Sequence, residues 1–168
     1  MNQGFERCDD EPTLYKKWQG AQGLLLVCLY VDDIVYMASS QQMVEDFRHS
    51  MMKSFEMTDL GLLHYFLGLE IKQNEVGIFF CQQNYAYNRL KKFNMTECKK
   101  TATPMNTGEK FYVHDGSGEA DARLYRSLIG ELIYLTHTRP DISHSVGVLS
   151  RFMQTPSKQH LGAARRVL

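Results

Sequence analysis

Two apolar runs near the start of the chain flank a pair of acids. Residues 23–31 are almost continuously apolar, and the apolar pattern resumes over residues 34–38, after Asp32 and Asp33. Continuous apolar runs are typical of strands covered on both faces, so two runs around a short polar break predict a β-hairpin with the acids at its tip. Residues 1–21 are polar and mixed, without a clear period, and predict no element.

Helical and strand-like patterns alternate over the following sixty or so residues. Ser39 and Gln42 have capping-box spacing, which predicts a helix, and apolar residues recur at helical spacing from Met43 to Phe55. Residues 64–81 contain two apolar segments around the polar turn NEVG, the pattern of a second hairpin. A helix over residues 83–93 is predicted next, and its polar side and the loop after it carry Arg89, Lys91, Lys92, Lys99 and Lys100.

The last third of the chain predicts helices. Residues 101–121 are rich in turn-forming residues and predict a long loop or linker. Beyond this segment, helix-start signals stand at Asp121, at Pro140 and at Thr155-Pro156. The whole pattern predicts an α+β fold in which two hairpins and two helices precede a helical C-terminal region.

Composition limits the classes of function. The formal net charge is zero, so no global field favours nucleic acid or a membrane, although a local basic patch can still bind phosphate. None of the four cysteines forms a C-x-x-C pair, which excludes a zinc site built on that spacing. The start of the chain lacks the apolar core of a signal peptide, and the longest apolar run is far short of a membrane span. We therefore expect a soluble intracellular protein.

The adjacent acids have two interpretations. Aspartate suits turns because its side chain bonds its own backbone, so Asp32 and Asp33 taken alone are ordinary turn residues. The functional interpretation is a divalent-metal site, because Mg²⁺ prefers hard oxygen ligands and needs only one or two carboxylates beside substrate phosphates. The surrounding sequence decides between the two.

Several strings of the sequence resemble one family. Tyr30-Val31-Asp32-Asp33 looks like the Y-V-D-D signature of reverse transcriptases. The strings FEMTDLGLLHYFLGLEI, TPM, LYRSLIGELIYLTHTRPDI and LSRFMQTPSKQH then follow in the order found in copia-type retrotransposon polyproteins, and GFERCDDEPTLY is similar to the segment just upstream. The resemblance covers almost the whole chain.

The resemblance implies a chemistry and roles for particular residues. Such enzymes copy RNA or DNA templates by phosphoryl transfer with two metal ions, Mg²⁺ or Mn²⁺. Asp32 and Asp33 match two of the family's three catalytic, metal-binding aspartates. The implied nucleic-acid contacts are Tyr30 and Val31 beneath the primer end, Tyr65, Leu67 and Gly68 in a primer-grip hairpin, and Arg89, Lys91 and Lys92 on a thumb helix.

The resemblance also implies a division of the chain. Residues 1–57 match the C-terminal part of the polymerase palm, with the Y-V-D-D hairpin and one packing helix, and residues 58–100 match the primer grip and thumb. Residues 101–121 are then a linker loop, and residues 122–168 a helical connection region. The implied partners are an RNA or DNA primer–template, deoxynucleoside triphosphates and the rest of the Pol polyprotein, in the cytoplasm (in a virus-like particle) or the nucleus, with no membrane.

The chain departs from the family by what it lacks. No strand here matches the one that carries the third metal-binding aspartate, so we expect that this chain alone does not polymerise and that residues 24–30 present an apolar, unpaired edge. Two alternatives stay open. One is an inactive transposon-derived remnant that folds and at most binds nucleic acid or a protein partner. The other is a helical protein-interaction module formed by residues 122–168.

Overall fold

The chain forms two compact units. The computed structural model describes residues 4–20 and 23–168, and it divides into Met1–Leu63 and His64–Leu168. The described residues contain two small antiparallel sheets and five α-helices. This mixture is compatible with the predicted α+β class, whereas the assignments to palm, primer grip, thumb and connection stay predictions. The predicted boundaries between these segments also stay predictions, and the first segment, 1–57, starts at residues that lie outside the described part of the chain.

The first unit is a four-stranded antiparallel sheet with one helix. Its strands are β1 (Glu6–Arg7), β2 (Leu14–Gln19), β3 (Gly23–Tyr30) and β4 (Asp33–Ala38), paired in sequence order. Helix α1 (Gln41–Ser54) follows directly. The hairpin predicted around the paired acids is confirmed as β3 and β4, and the helix after it as α1.

Alternating residues of β3 form the core of this unit. Leu25 and Val27 are buried together with Met43 and Phe47 of α1, and the Phe47 ring lies 4.9 Å from the ring of Tyr36. The helix begins one residue later than predicted, because Ser40 is its N-cap and accepts a hydrogen bond from the Met43 amide at 3.3 Å. Ser39 still belongs to the strand region, where its hydroxyl accepts from the Leu24 amide at 2.9 Å.

The prediction of an unpaired apolar edge at residues 24–30 is wrong. Strand β3 is a central strand, paired with β2 on one side and β4 on the other. Strands β1 and β2 arise from the segment that predicted no element, of which residues 1–3 and 21 lie outside the described residues. Strand β2 was not predicted because Lys16 and Lys17 make its sequence polar. Both lysines are nevertheless half-buried, since a lysine can lay its alkyl stem on apolar neighbours.

The second unit starts with a three-stranded antiparallel sheet. Strands β5 (Tyr65–Phe66), β6 (Leu69–Asn74) and β7 (Gly77–Cys81) pair in order, and α2 (Gln83–Lys92) follows. The predicted second hairpin and the helix after it are therefore confirmed. The hairpin gains one short strand, β5, which the apolar pattern did not separate from β6.

Three further helices supply the main core of the second unit. Helix α3 (Ala122–Leu135) is followed by a 3₁₀ turn (Pro140–Ile142), α4 (Ser143–Ser150) and α5 (Lys158–Val167). Asp121 caps α3 as predicted, with its carboxylate accepting from two amides of the first turn. The last helix begins after Ser157 and not at Thr155-Pro156, because the Ser157 side chain supplies the N-cap. The fully buried side chains of this unit include Tyr125, Leu128, Ile129, Leu132, Leu149, His160 and Ala164.

Residues 101–121 form an irregular segment, as the turn-rich sequence predicts. Within the second unit, Met105 and Phe111 pack against the helical core, and the Glu119–Ser157 bridge ties the end of the segment to the start of α5. The segment is thus a packed surface loop within one compact unit.

Candidate functional site

The paired acids lie on a two-residue turn. Tyr30 is paired with Asp33 in the β3–β4 register, so Val31 and Asp32 alone connect the strands. The side chains of all four residues are exposed, and Val31 is 90% exposed. The Y-V-D-D residues are therefore brought together at one accessible tip, as the sequence predicts.

The turn holds Val31 in an unfavourable backbone conformation. Its φ is +51°, in the left-handed region. Asp and Asn visit this region several times more often than other non-glycine residues do, but for a β-branched residue it is a genuine outlier. Backbone of this kind costs about 1–3 kcal/mol and persists only where the surrounding structure enforces it. Strain at an exposed tip that carries two carboxylates is a structural reason to regard the tip as functional.

The base of the hairpin supplies that enforcement. On the side away from β4, β3 is paired with β2. One residue beyond the β2–β3 ladder, the Leu29 amide donates to the Thr13 carbonyl at 2.9 Å. On one face of the sheet, Leu25 and Val27 are buried against α1. The tip thus stands on a strand fixed by two neighbours and a helix.

The two carboxylates are available as ligands. Within residues 4–20 and 23–168, neither Asp32 nor Asp33 takes part in an ion pair, and both side chains are exposed. No group of three or more His, Cys, Asp or Glu side chains suited to a metal occurs in this part of the chain. Two adjacent hard oxygen donors suit Mg²⁺, which keeps several waters and shares its remaining positions with substrate phosphates.

A second strained turn lies in the second unit. Phe66 pairs with Leu69, so Leu67 and Gly68 form a two-residue turn, and both have positive φ, +50° and +80°. This is the sign pattern of a type I′ turn. Leu67 is 47% exposed and Tyr65 is 56% exposed, so the predicted primer-grip residues lie at an accessible surface.

Helix α2 carries the predicted basic residues, but two of them contact an acid. Arg89 and Lys92 both form ion pairs with Glu131 of α3, the first at 3.3 Å. Lys91 instead lies with its ammonium 4.6 Å from the centre of the Tyr87 ring. The basic patch is therefore partly neutralised within the second unit, which the sequence pattern of α2 alone does not reveal.

Three residues of α3 that contact these sites, Ser127, Glu131 and Tyr134, were predicted only as parts of a helix. For two of them the sequence holds a signal: Ser127 and Glu131 are four positions apart, so they share a face of α3, where their side chains form a hydrogen bond. Tyr134 donates its hydroxyl hydrogen to the Leu67 carbonyl. No local sequence signal reveals this contact, because its partners are 67 positions apart.

A Ser, His and Asp cluster in the second unit is structural. Ser157 donates its hydroxyl hydrogen to Asp115, and its oxygen accepts from the His160 amide at 3.2 Å. The imidazole Nδ1 accepts from the Ser157 backbone amide at 3.0 Å, so it is not positioned as a base for the Ser157 hydroxyl. Nucleophilic catalysis requires that contact, and the cluster therefore acts as a helix cap that fastens the 101–121 loop.

The pKa values in this cluster follow from its contacts. Hydrogen bonds from Ser117 and Ser157 lower the pKa of Asp115 to about 2. Burial lowers the pKa of His160 against the opposing effect of the Asp115 charge. His160 is fully buried, with its ring stacked on Phe152 at 3.9 Å, so the neutral imidazole is the form that the core accommodates.

Comparison with known proteins identifies a family for this chain. Residues 1–107 match the reverse transcriptase (RNA-dependent DNA polymerase) family. This range contains both exposed turns and the basic helix. No solved structure matches the chain at a significant level.

Individual relatives come mainly from transposons. The chain is 33% identical over 165 residues to the retrovirus-related Pol polyprotein from transposon RE1 of Arabidopsis thaliana, covering 98% of this chain and 11% of the relative. It is 30% identical over 176 residues to the Pol polyprotein from transposon TNT 1-94 of Nicotiana tabacum, covering 99% and 13%. An uncharacterized mitochondrial protein of Arabidopsis thaliana is 36% identical over 144 residues, with 86% and 60% covered.

These matches show the family of the chain, and they cover only a small part of the Pol polyproteins. The chain spans about a tenth of the length of the polyproteins, 11% and 13%. In the described residues no helix is long and apolar enough to cross a membrane. Since the family match covers well over half of the chain, the protein belongs to the reverse transcriptase (RNA-dependent DNA polymerase) family.

Proposed function

We propose that the Tyr30–Asp33 tip is part of the catalytic centre of an RNA-directed DNA polymerase of a copia-type retrotransposon. The observation that carries the proposal is the pair of exposed carboxylates on a strained turn above a strand fixed on both sides. The centre becomes active when upstream palm and finger segments complete it. The chain then contributes to nucleotidyl transfer within a longer Pol polyprotein.

Asp32 and Asp33 would hold the metal ions, Mg²⁺ or Mn²⁺. Their hard oxygens, their exposure and their lack of ion pairs in the described part of the chain fit such ions. Two bound ions in this family supply Lewis-acid stabilisation of the attacking and leaving oxygens of phosphoryl transfer. The hairpin contributes a base that holds both carboxylates in place while substrate binds.

A third carboxylate must come from outside the described residues. Strand β4 begins at Asp33 and lies at an edge of its sheet, because the strand order in the described residues ends there. A strand added along this edge would bring its own side chains next to the tip. This is the position where an upstream segment would complete the ligand set, and without it the chain does not polymerise.

The remaining predicted residues would hold the nucleic acid. Tyr30 and Val31 would lie under the primer end, and Tyr65, Leu67 and Gly68 would contact the primer strand at the second exposed turn. Arg89, Lys91 and Lys92 would follow the phosphate backbone, which gives affinity and register without reading sequence. An RNA–DNA hybrid is recognised mainly by shape and backbone, which suits such contacts.

Primer extension tests the proposal. The chain alone, with Mg²⁺ or Mn²⁺, is expected to bind a labelled RNA–DNA primer–template in a salt-dependent way and to leave the primer unextended. The same chain joined to the upstream segment of a relative is expected to extend it, and Asp32→Asn abolishes extension while the control Asp10→Asn, an exposed acid outside the tip, does not. Robust synthesis by the chain alone that Asp32→Asn abolishes would overturn the claim that it is incomplete.

A second candidate function is binding without catalysis. It is favoured by the finding that the described residues offer no group of three metal-ligating side chains. In that case the chain is an inactive, transposon-derived remnant that folds and binds nucleic acid or a protein partner. The joined protein separates the two, because a remnant retains salt-dependent binding and fails to extend the primer under any metal.

A further inference from the structure

We infer that Tyr134 is a positioning residue for the nucleic-acid-binding turn formed by Leu67 and Gly68. This inference rests on the proposed function of that turn and adds to it a residue from helix α3, remote in sequence. Tyr134 fixes the turn from inside the second unit, so that the exposed side of the turn presents a single conformation to the primer strand.

The first supporting observation is a hydrogen bond to the strained residue itself. The Tyr134 hydroxyl donates to the carbonyl of Leu67. Leu67 has a φ of +50°, which a leucine adopts at a cost. A donor that engages this carbonyl favours the strained orientation over relaxed ones, so the contact acts on the part of the turn that is hardest to hold.

The second observation is steric. A Cβ added to Gly68 would lie 2.7 Å from the Tyr134 hydroxyl oxygen and 3.5 Å from two of its ring carbons. Gly68 is therefore required for two reasons, its φ of +80° and the space that Tyr134 occupies. The turn and the tyrosine fit closely enough that the backbone of one contacts the hydroxyl end of the other.

The third observation is that Tyr134 is itself held in place. Its ring packs edge-on against Tyr85, with the ring centres 4.8 Å apart, and at a tilt against His137, with the ring centres 5.4 Å apart. Its backbone carbonyl accepts from the buried side-chain amide of Gln82 at 3.2 Å, and the Gln82 carbonyl oxygen accepts from the Thr138 hydroxyl at 2.8 Å. A side chain fixed by two rings on a fastened backbone can define the position of what it contacts.

These contacts connect three elements of the second unit. Gln82 stands between β7 and α2, Tyr134 is near the C-terminal end of α3, and Leu67 is in the turn between β5 and β6. These contacts fix the position of the turn relative to the helical core as well as to its own small sheet. A three-stranded sheet with one buried apolar residue, Ile71, gains from such an anchor.

The test compares two Tyr→Phe changes in the same helix. Tyr134→Phe removes the hydroxyl that reaches the turn. Tyr125→Phe removes a hydroxyl that donates to the Leu149 carbonyl at 2.8 Å in the core and does not touch the turn. Both changes delete one hydroxyl-to-carbonyl hydrogen bond, so a general loss of stability affects both variants.

Binding of a fluorescein-labelled RNA–DNA primer–template is measured by anisotropy on the full 168-residue chain. Tyr134→Phe is expected to weaken binding by about three- to tenfold, the range that one lost hydrogen bond corresponds to, whereas Tyr125→Phe leaves it within about twofold. The backbone amide chemical shifts of Gly68 and Leu69 are expected to move in Tyr134→Phe and to stay in place in Tyr125→Phe.

A double variant checks the contact directly. Gly68→Ala alone is expected to weaken binding. Tyr134→Phe removes the hydroxyl that the new Cβ would meet, so the double variant is expected to bind no more weakly than Gly68→Ala alone. Fully additive losses, or equal binding by wild type and Tyr134→Phe, would overturn the positioning role. A wild-type chain that does not bind the probe overturns the proposed function together with this inference, whereas a wild type that binds and a Tyr134→Phe that binds equally overturns the inference alone.

Discussion

Lys92 on helix α2 forms an ion pair with Glu131 on helix α3, and the Ser127 hydroxyl lies 3.1 Å from the same ammonium group. Glu131 also pairs with Arg89, whose guanidinium lies 4.8 Å from the centre of the Tyr85 ring. One carboxylate thus serves two of the three cations predicted to contact a phosphate backbone. The proposed binding of nucleic acid at α2 would have to compete with Glu131.

Replacing Glu131 tests this competition. Glu131→Gln is expected to tighten primer–template binding and to steepen its salt dependence, because each cation released to a phosphate adds about 0.7–0.9 to the slope of log K against log salt. Anisotropy titrations at several salt concentrations measure both quantities. The matched control is Glu75→Gln, which changes net charge equally at an exposed turn. Equal slopes for the two variants, or weaker binding by Glu131→Gln, would mean that Glu131 orients the cations and does not neutralise them.

Two isoleucines one helical turn apart test the core of the second unit. Ile129 is fully buried and Ile133 is 42% exposed on the same helix. Ile129→Ala is expected to lower the free energy of unfolding by about 2–5 kcal/mol, because it removes buried methyl groups and leaves a cavity. Ile133→Ala is expected to cost about 1 kcal/mol or less. Urea unfolding followed by circular dichroism measures both, and similar losses would mean that this face of α3 is packed differently.

The elements that the sequence predicted share one property, a strong local signal. The acid pair between apolar runs, the NEVG turn and the Asp121 cap each specify their element within a few residues. Strand β2 was not predicted, because it forms by pairing with β3, in which Lys16 lies opposite Leu26. A strand stabilised by its neighbour has no period of its own to detect, and its presence also removed the expected edge at residues 24–30.

The candidate site divides in the same way. Asp32, Asp33 and Gly68 were visible in short strings, because a two-residue turn and its special residues are local. The contacts made by the Leu67–Gly68 turn and by the cations of α2 were not predicted, since Tyr134 contacts Leu67 across 67 positions and Glu131 contacts Lys92 across 39. Such partners become apparent only when the helices are packed.

The buried His160 predicts a pH dependence of stability. Burial lowers its pKa from the ordinary value of 6.5, while the Asp115 charge acts in the opposite direction. The folded state therefore binds this proton less readily than the unfolded chain, so stability is fully present above about pH 6.5 and declines as pH falls below it. Asp115, with its pKa lowered to about 2, causes a separate loss as pH falls from about 4 towards 2.

Unfolding in urea from about pH 8 to pH 5 measures the His160 effect. The slope of stability against pH is expected to flatten in His160→Asn, whatever the absolute stability of that variant. His144→Asn replaces an exposed histidine in the same unit and is expected to keep the wild-type slope. A wild-type stability that does not change between pH 7 and pH 5 would mean that the folded protein accepts the proton at His160 as readily as the unfolded chain does.

The strained turn at Val31 predicts a gain in stability from a substitution at the candidate catalytic tip. With φ at +51°, Val31→Gly relieves backbone strain of about 1–3 kcal/mol and incurs about 0.5–1 kcal/mol of added chain entropy. A net stabilisation of roughly 1 kcal/mol is expected in urea unfolding of the first unit. Val76→Gly is the control, since Val76 is 97% exposed in a turn without positive φ, and it is expected to be neutral or destabilising.

The same pair of variants connects strain to function. If the strain at Val31 holds Asp32 and Asp33 in a conformation suited to metal, Val31→Gly is expected to weaken Mn²⁺ binding by a few fold even as it stabilises the fold, because glycine lets the tip sample other conformations. Water proton relaxation in Mn²⁺ titrations measures this, with Asp32→Asn marking the loss of the site and Val76→Gly marking no change. A Val31→Gly variant that is more stable and binds Mn²⁺ as well as wild type would show that the strain serves no role in holding the carboxylates.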